Sequence, residues 1–373
     1  MMNIVRTRSV NRLHRCMRHA ALCAGIFAMT LLFGACDHKE LCFHHPHAQT
    51  LRLIFDWRDA PTANPEGMSV FFYPLPDDTD VAGRADDEDV PPALGSYYRF
   101  NLGRAGGMLE GILPGRYRVI TYNHDTEAVL FNGVDDFDGH MGFTREGSAL
   151  EPIYGNTGTR APMAPGAENQ RIVITPDVMW GCSVVDVEIT ETGITYLHYP
   201  FDPDEDMDIT KPITSTEHVI TLYPHLLTCY YDYEIRNVTN LDNVLQMSAS
   251  LSGMSPQLSF GSEELGREPV TIPFAASPNP QRRSIVGNFI TWGHHELNDE
   301  PHHLLLYVWM KGEPKGWCYS MDVTDQVHAA PDRHYVHLVV DRLELPTVIP
   351  PDGDGGFKPS VDDWVVEKWD IEM

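Results

Sequence analysis

Short runs in which every second residue is apolar, closed by glycine or proline, set the strongest limit on how this chain can fold. Leu51, Leu53, Phe55 and Trp57 alternate with Arg52, Ile54, Asp56 and Arg58, and Cys229, Tyr231, Tyr233 and Ile235 alternate with Tyr230, Asp232, Glu234 and Arg236. Successive side chains of a strand point to opposite faces, so a period of two gives one buried and one wetted face. Comparable segments are Met68 to Tyr73 before Pro74, Ser96 to Leu102, Gly107 to Leu113, Arg116 to Asn123 and Arg171 to Thr175. Later ones are Ser183 to Thr190, His218 to Tyr223, Leu245 to Leu251, Arg282 to Ile290, His303 to Trp309, Gly316 to Met321 and His334 to Val340. Only residues 238–248 carry helical spacing, through Val238, Leu241, Val244 and Leu245. Many short strands with little helix predict an all-β chain of two β-sandwiches in series. The expected N-terminal sandwich covers 49–178 and the C-terminal one 179–345, divided near Pro176 and Trp180-Gly181. Gly106-Gly107 and Pro114-Gly115 predict tight connections between antiparallel strands.

The beginning of the chain has a different character. Residues 1–20 hold Arg6, Arg8, Arg12, Arg15 and Arg18 without an acid, and Ala20 to Phe33 is apolar but short for a membrane span. That run ends in Leu31-Leu32-Phe33-Gly34-Ala35-Cys36, the pattern of a bacterial lipoprotein signal peptide. Residues 1–35 are therefore expected to be removed and Cys36 to carry acyl chains, with 36–48 as a tether. Each buried acyl methylene contributes about 0.8 kcal/mol, so more than one chain gives a stable membrane anchor. The expected location is the outer membrane, lipid-anchored, at the cell surface. His38, His44, His45 and His47 are loosely spaced on the tether, with no thiol or carboxylate set to complete a metal site. They read as solvated, and no metal is expected.

Charge and cysteine content narrow the function. The chain carries −26, and the leader supplies five Arg and no acid, so the remainder carries −31. A nucleic-acid binder needs a basic face, which excludes that class. Cys42, Cys182, Cys229 and Cys318 remain after the leader and Cys36 are set aside. With no CxxC pair, buried free thiols are expected, and a Cys182–Cys229 bridge is the one pairing worth testing. There is no nucleophile elbow, no HExxH and no spaced carboxylate pair. His124, Asp125, Glu127, Asp135, Asp136, Asp138 and His140 match no hydrolase signature. The chain reads as a non-enzyme without cofactor.

At the far end, residues 346–373 comprise a Pro/Asp/Gly hinge and a terminal strand containing Trp364, Val366, Trp369 and Ile371. Such a strand either completes the chain's own second sandwich or adds to another subunit's sheet, where main-chain hydrogen bonds give affinity. These four residues are the candidate strand-exchange site.

Several short motifs are familiar together: Cys36-Asp37-His38-Lys39-Glu40-Leu41-Cys42, Phe55-Asp56-Trp57 and Gly67-Met68. Further along come Pro114-Gly115-x-Tyr117, Tyr122-Asn123-x-Asp125-Thr126 and Val361-Asp362-Asp363-Trp364. Through them residues 36–373 resemble Bacteroidales surface lipoproteins of unassigned function related to the fimbrillin and fimbrial-anchor proteins. The resemblance implies two tandem transthyretin-like β-sandwiches and a role around fimbriae as anchor, accessory or tip subunit, with fimbrial subunits as partners. Polymerising members of that group lose an N-terminal segment by cleavage at an Arg. Here Arg52 and Arg58 lie on or beside the first strand without forming a clear cut site, which fits an uncut anchor or accessory subunit. The alternative function is binding of a surface glycan or host ligand, suggested by Tyr97, Tyr98, Phe137, Phe143 and Tyr154 in loops. Replacement of Cys36 by Ala is expected to move the protein from the membrane fraction to the soluble fraction of cell lysates; retention in the membrane would refute the lipid anchor.

Overall fold

Alternating sequence becomes strand throughout the computed structural model, which describes residues 48–75, 97–197, 213–215, 217–297, 299–347 and 363–369. The chain opens with β1 (Gln49–Phe55), β2 (Met68–Pro74), β3 (Tyr98–Leu102), β4 (Gly106–Ile112) and β5 (Gly115–Asn123). Next come β6 (Val129–Asn132), β7 (Met141–Thr144), a single helical turn α1 (Glu151–Tyr154) and β8 (Arg171–Ile172). Then follow β9 (Trp180–Ile189), β10 (Ile194–Leu197), β11 (Ile213–Ser215), β12 (Val219–Leu222) and β13 (His225–Leu226). The next group is β14 (Cys229–Thr239), β15 (Val244–Met254), β16 (Gln257–Ser259), β17 (Val270–Ala275), β18 (Ser277–Asn279) and β19 (Ser284–Thr291). The last elements are β20 (His303–Met310), β21 (Gly316–Asp322), α2 (Thr324–His328), β22 (Tyr335–Glu344) and β23 (Trp364–Trp369). The all-β class expected from sequence is the class observed.

Two sheet pairs form the bulk of the fold. A small sheet, β12-β1-β4, faces a large one ordered β11-β10-β9-β5-β2-β3, with β13 also on β9. Leu51, Leu53 and Phe55 of β1 meet Met68, Val70 and Phe72 of β2 in their shared core. In the second pair, β18-β19-β14-β22 faces β23-β21-β20-β15-β17-β8. There Tyr231, Tyr233 and Ile235 of β14 meet Leu304, Leu306 and Val308 of β20. Fully burying one such aliphatic side chain contributes about 1.5–3 kcal/mol.

Both large sheets are buried on their second face as well. Phe71, Tyr73, Ile120 and Tyr122 lie beneath a third sheet, β16-β7-β6. Leu305, Tyr307, Trp309 and Cys318 lie beneath the segment 149–167. Burial of both faces explains why residues 304–310 are apolar without alternation. Buried hydroxyls fix both covers. His140 is wholly buried between two tyrosines, with Nδ1 2.6 Å from Tyr73 Oη and Nε2 2.9 Å from Tyr122 Oη. Tyr73 donates to the Val134 carbonyl at 3.0 Å, so it accepts from His140 Nδ1–H, and Tyr122 donates to Nε2. On the other sheet Tyr307 donates to the Pro162 carbonyl at 2.9 Å.

The pairing departs from the sequence reading in several places. The division expected at 178/179 falls inside the first sheet pair, because β9 to β13 pair with β5, β1 or one another. Conversely, β8, expected to close the first sandwich, runs parallel to β17 in the second. Between Tyr117↔Val187 and Val119↔Val184 the register shifts by a bulge. Val184 and Val187 therefore share one core, while Val185 packs on the opposite face. The helical spacing over 238–248 yields only a 3₁₀ turn at Leu241–Asn243, preceded by Asn237 and Asn240 in the left-handed region. The glycine-rich turns are tight but carry the chain between sheets: β3 and β4 separate after one bridge, Gly103↔Gly106, and β4 does not pair with β5. Gly106 has φ +92°, and a Cβ there would lie 2.0 Å from the Leu53 carbonyl oxygen, so β4 can cross β1 only with glycine. Cys182, Cys229 and Cys318 are buried free thiols. Cys182 sits in the first core and Cys229 in the second, so the Cys182–Cys229 bridge does not form.

Burial, followed by the charge of Arg99, lowers the His140 pKa to about 4. An unfolded histidine titrates at about 6.5, so acid protonates the unfolded state first and stability falls as pH drops from that value toward 4. The expected share is about 3 kcal/mol. Urea midpoints compared between neutral and acid pH should show a clearly smaller decrease in His140→Gln than in the parent protein.

Candidate functional site

The motif residues that are familiar from sequence mostly hold turns. Trp57 Nε1 donates to the Arg104 carbonyl at 2.8 Å, and the Arg104 guanidinium lies over the indole. Tyr117 Oη donates to the Leu113 carbonyl at 2.7 Å, closing the Pro114-Gly115 turn. Asn123 donates to Asp125 Oδ1 and the Val178 carbonyl and accepts from Trp180 N–H at 2.8 Å. Asp177 accepts from the Glu127 and Ala128 amides, each at 2.7 Å, and from the Thr126 hydroxyl. These contacts are structural. The acids and histidines of residues 124–140 do not converge: Asp138 pairs with Arg118, while the His140 ring packs edge-on among Phe71, Tyr122 and Phe260.

The terminal segment makes the first candidate site. β23 pairs in parallel with β21, from Gly316↔Trp364 to Met321↔Trp369, as the outermost strand of its sheet. Its entry is fixed by Gly316 N–H donating to the Asp363 carbonyl at 2.9 Å. The half-buried Trp364 ring lies edge-on to Tyr307 and Trp309, with centroids 5.7 and 4.9 Å away. A Cβ on residue 316 would come within 2.7 Å of that ring, so Gly316 makes the seat. Val366, on the same face opposite Cys318, is 55% exposed. The ladder and one aromatic anchor thus account for the described attachment of this segment. Of the other residues singled out from sequence, Trp369 is placed by its backbone register, while Cys36 and Ile371 lie outside the described residues.

A cleft of about 710 Å³ makes the second, and sequence reading missed it because its residues come from separate loops. His225, His294, His295, His328 and His334 line it, over a floor that includes Trp292. Burial would lower the His225 pKa, but Glu263, 2.9 Å from its Nε2, raises it overall. Behind the cleft, burial lowers the fully buried His302 to about 4 despite its contact with the Ser252 carbonyl. Cys229 Sγ lies 3.9 Å from His334 Nδ1, which suggests a thiol–imidazole pair. Burial pushes that thiol up to about 12, and it donates to the Trp292 carbonyl. A reactive cysteine needs a depressed pKa, so this geometry does not make a nucleophile. Among the described residues, no group of three or more His, Cys, Asp or Glu is poised around a metal.

The aromatics suspected of stacking on sugar are largely engaged internally. Tyr97 packs on Phe71 and Tyr73, Tyr98 on Phe100 and Tyr117, and Phe137 is 3% exposed. Tyr154 stands edge-on to Trp309. Replacing Trp364 by Ala should destabilise the protein by about 2 kcal/mol, below the range for a wholly buried Trp because this ring is half exposed. Denaturant unfolding would measure it; an unchanged midpoint would show that the indole does not anchor β23.

Comparison with known proteins gives matches of sequence and of fold. A family profile described as a domain of unknown function, DUF5119, matches residues 35–275. A curated protein named as a candidate fimbrium anchoring subunit of Bacteroides ovatus is 19% identical over 363 residues, covering 91% of this chain and 94% of its own. The crystal structure of a candidate adhesin from Bacteroides ovatus superposes with a TM-score of 0.54 at 15% identity, covering 82% of this chain and 95% of its own. The fimbrial anchor protein Mfa2 of Porphyromonas gingivalis gives a TM-score of 0.41 at 10% identity, covering 79% and 90%. The superposition with the adhesin is a likeness of fold, whereas the profile takes in well over half the residues, and on that ground the chain belongs to the DUF5119 family.

Proposed function

We propose that this protein is a non-enzymatic, fimbria-associated lipoprotein of the cell envelope, held in the outer membrane by acyl chains on Cys36 and facing the cell surface. Within that setting it acts as an anchor or accessory subunit, and it meets a fimbrial partner through its terminal strand. The observation that carries the strand assignment is the position of β23: an edge strand, fastened by its ladder and by Trp364, with Val366 exposed beside it. A strand edge offers main-chain donors and acceptors to an incoming strand, and neighbouring side chains select the partner. Full-length similarity to the candidate fimbrium anchoring subunit supports the setting. The −31 charge expected after leader removal supports a body that stands away from an anionic membrane surface.

Gentle crosslinking on intact cells, followed by pull-down, should recover a fimbrial subunit with the parent protein. Deletion of residues 357–373 should reduce that recovery several-fold while circular dichroism still shows a folded β protein. Undiminished recovery by a folded deletion variant would rule out the terminal strand as the docking element.

A further inference from the structure

Two imidazoles at the cleft, His294 and His328, meet a third, His302, buried behind it and held by several contacts. The His302 ring lies against Gly253, whose backbone has φ +83° and where a Cβ would come within 2.6 Å of Nδ1. His302 Nδ1 is 3.0 Å from the Ser252 carbonyl oxygen. A carbonyl only accepts, so Nδ1 carries the proton and the lone pair is on Nε2. The backbone is pinned too: His302 N–H donates to Thr324 Oγ1 at 2.9 Å, and its carbonyl accepts from Val323 N–H at 2.9 Å. That outer hydrogen bond fixes tautomer and ring orientation in the way that supports a metal-ligating histidine.

That lone pair already has a partner. His328, exposed at the end of α2, places its Nε2 3.1 Å from His302 Nε2 and donates its Nε2–H there, so a cation would take the place of that one proton. Zinc–imidazole bonds of about 2.0–2.1 Å would span that separation at an N–metal–N angle of about 100°. The third ring, His294, is nearly parallel to His328 with centroids 5.2 Å apart, and edge-on to His302 at 5.4 Å. His294 and His328 both line the open cleft, which gives a cation and its water ligands a way in.

We propose that His302 and His328 form a two-imidazole site for a borderline divalent cation of the zinc, copper or nickel class. Water completes the coordination, and the His294 ring packs beside the pair. Imidazole donors suit these metals, whereas calcium and magnesium prefer oxygen. A cation here would tie α2 to the loop leading into β20. The site is a pair rather than a ready-made cage, which agrees with the lack of a larger ligand group among the described residues.

The tether histidines His38, His44, His45 and His47 could bind the same metals, so the test must separate the two places. Full-length protein, stripped with a chelator, is titrated with zinc alone against a chromophoric competitor, and copper-loaded samples are examined by electron paramagnetic resonance. Three proteins are compared: the parent, His328→Asn, and a variant with all four tether histidines changed to Asn. The expected result is one equivalent bound, with affinity reduced at least tenfold in His328→Asn and unchanged in the tether variant. The copper spectrum should show nitrogen coupling that His328→Asn diminishes. His328 is exposed, so its replacement is expected to leave the fold intact, which circular dichroism checks. No binding by the parent, equal binding by His328→Asn, or loss confined to the tether variant would each overturn the proposal.

Discussion

The constraint on which the rest depends is that each large sheet is buried on both faces. One face of each is closed by a smaller partner sheet, and the other needs a separate cover. The covers are positioned by polar atoms inside otherwise apolar layers: the Tyr73–His140–Tyr122 chain on one side and the Tyr307 hydroxyl on the Pro162 carbonyl on the other. A buried donor or acceptor left without a partner costs about 1–3 kcal/mol, so each contact disfavours alternative placements of its cover. Chain segments also cross between the two halves. β8 joins the second sandwich, and β16 contributes to the cover of the first. The described residues from Ala48 onward consequently pack as one compact unit.

How much of this was legible follows from the reach of each signal. Period-two alternation is local, and it located β1, β2, β14 and most of the later strands within a few residues. Which sheet a strand joins is decided by distant partners, so the same alternation could not place β8, β9 or β12. The bulge in β9 illustrates the limit: one extra residue reverses the facing of everything beyond it, and Val184 and Val187 fall on one side despite an odd separation. Turn chemistry was likewise only half readable. Gly106 marks a sharp change of direction, but only the approach of Leu53 from β1 reveals why glycine is required.

The candidate sites divide along the same line. The terminal strand was visible because two tryptophans follow a Pro/Gly/Asp-rich stretch of sequence, and the structure adds its parallel register and the seat on Gly316. The histidine-lined cleft was not visible. His225, His294, His328 and His334 are scattered over more than a hundred residues and carry no spacing motif. Aromatic residues show the opposite error: Tyr97, Tyr98 and Phe137 looked like loop residues available to a ligand, yet they serve internal packing. Composition says that such side chains exist, and only packing says which are free to act.

The central claim is that a fimbrial partner meets this protein at the edge formed by β23. A photoreactive amino acid placed at Val366, on intact cells expressing the full chain, examines that contact directly because this side chain is exposed beside the edge. The account predicts a light-dependent adduct with a fimbrial subunit, absent when the same probe replaces exposed Leu245 on the β15 strand. An adduct equally strong from both positions, or none from Val366 in a correctly folded protein, would contradict it.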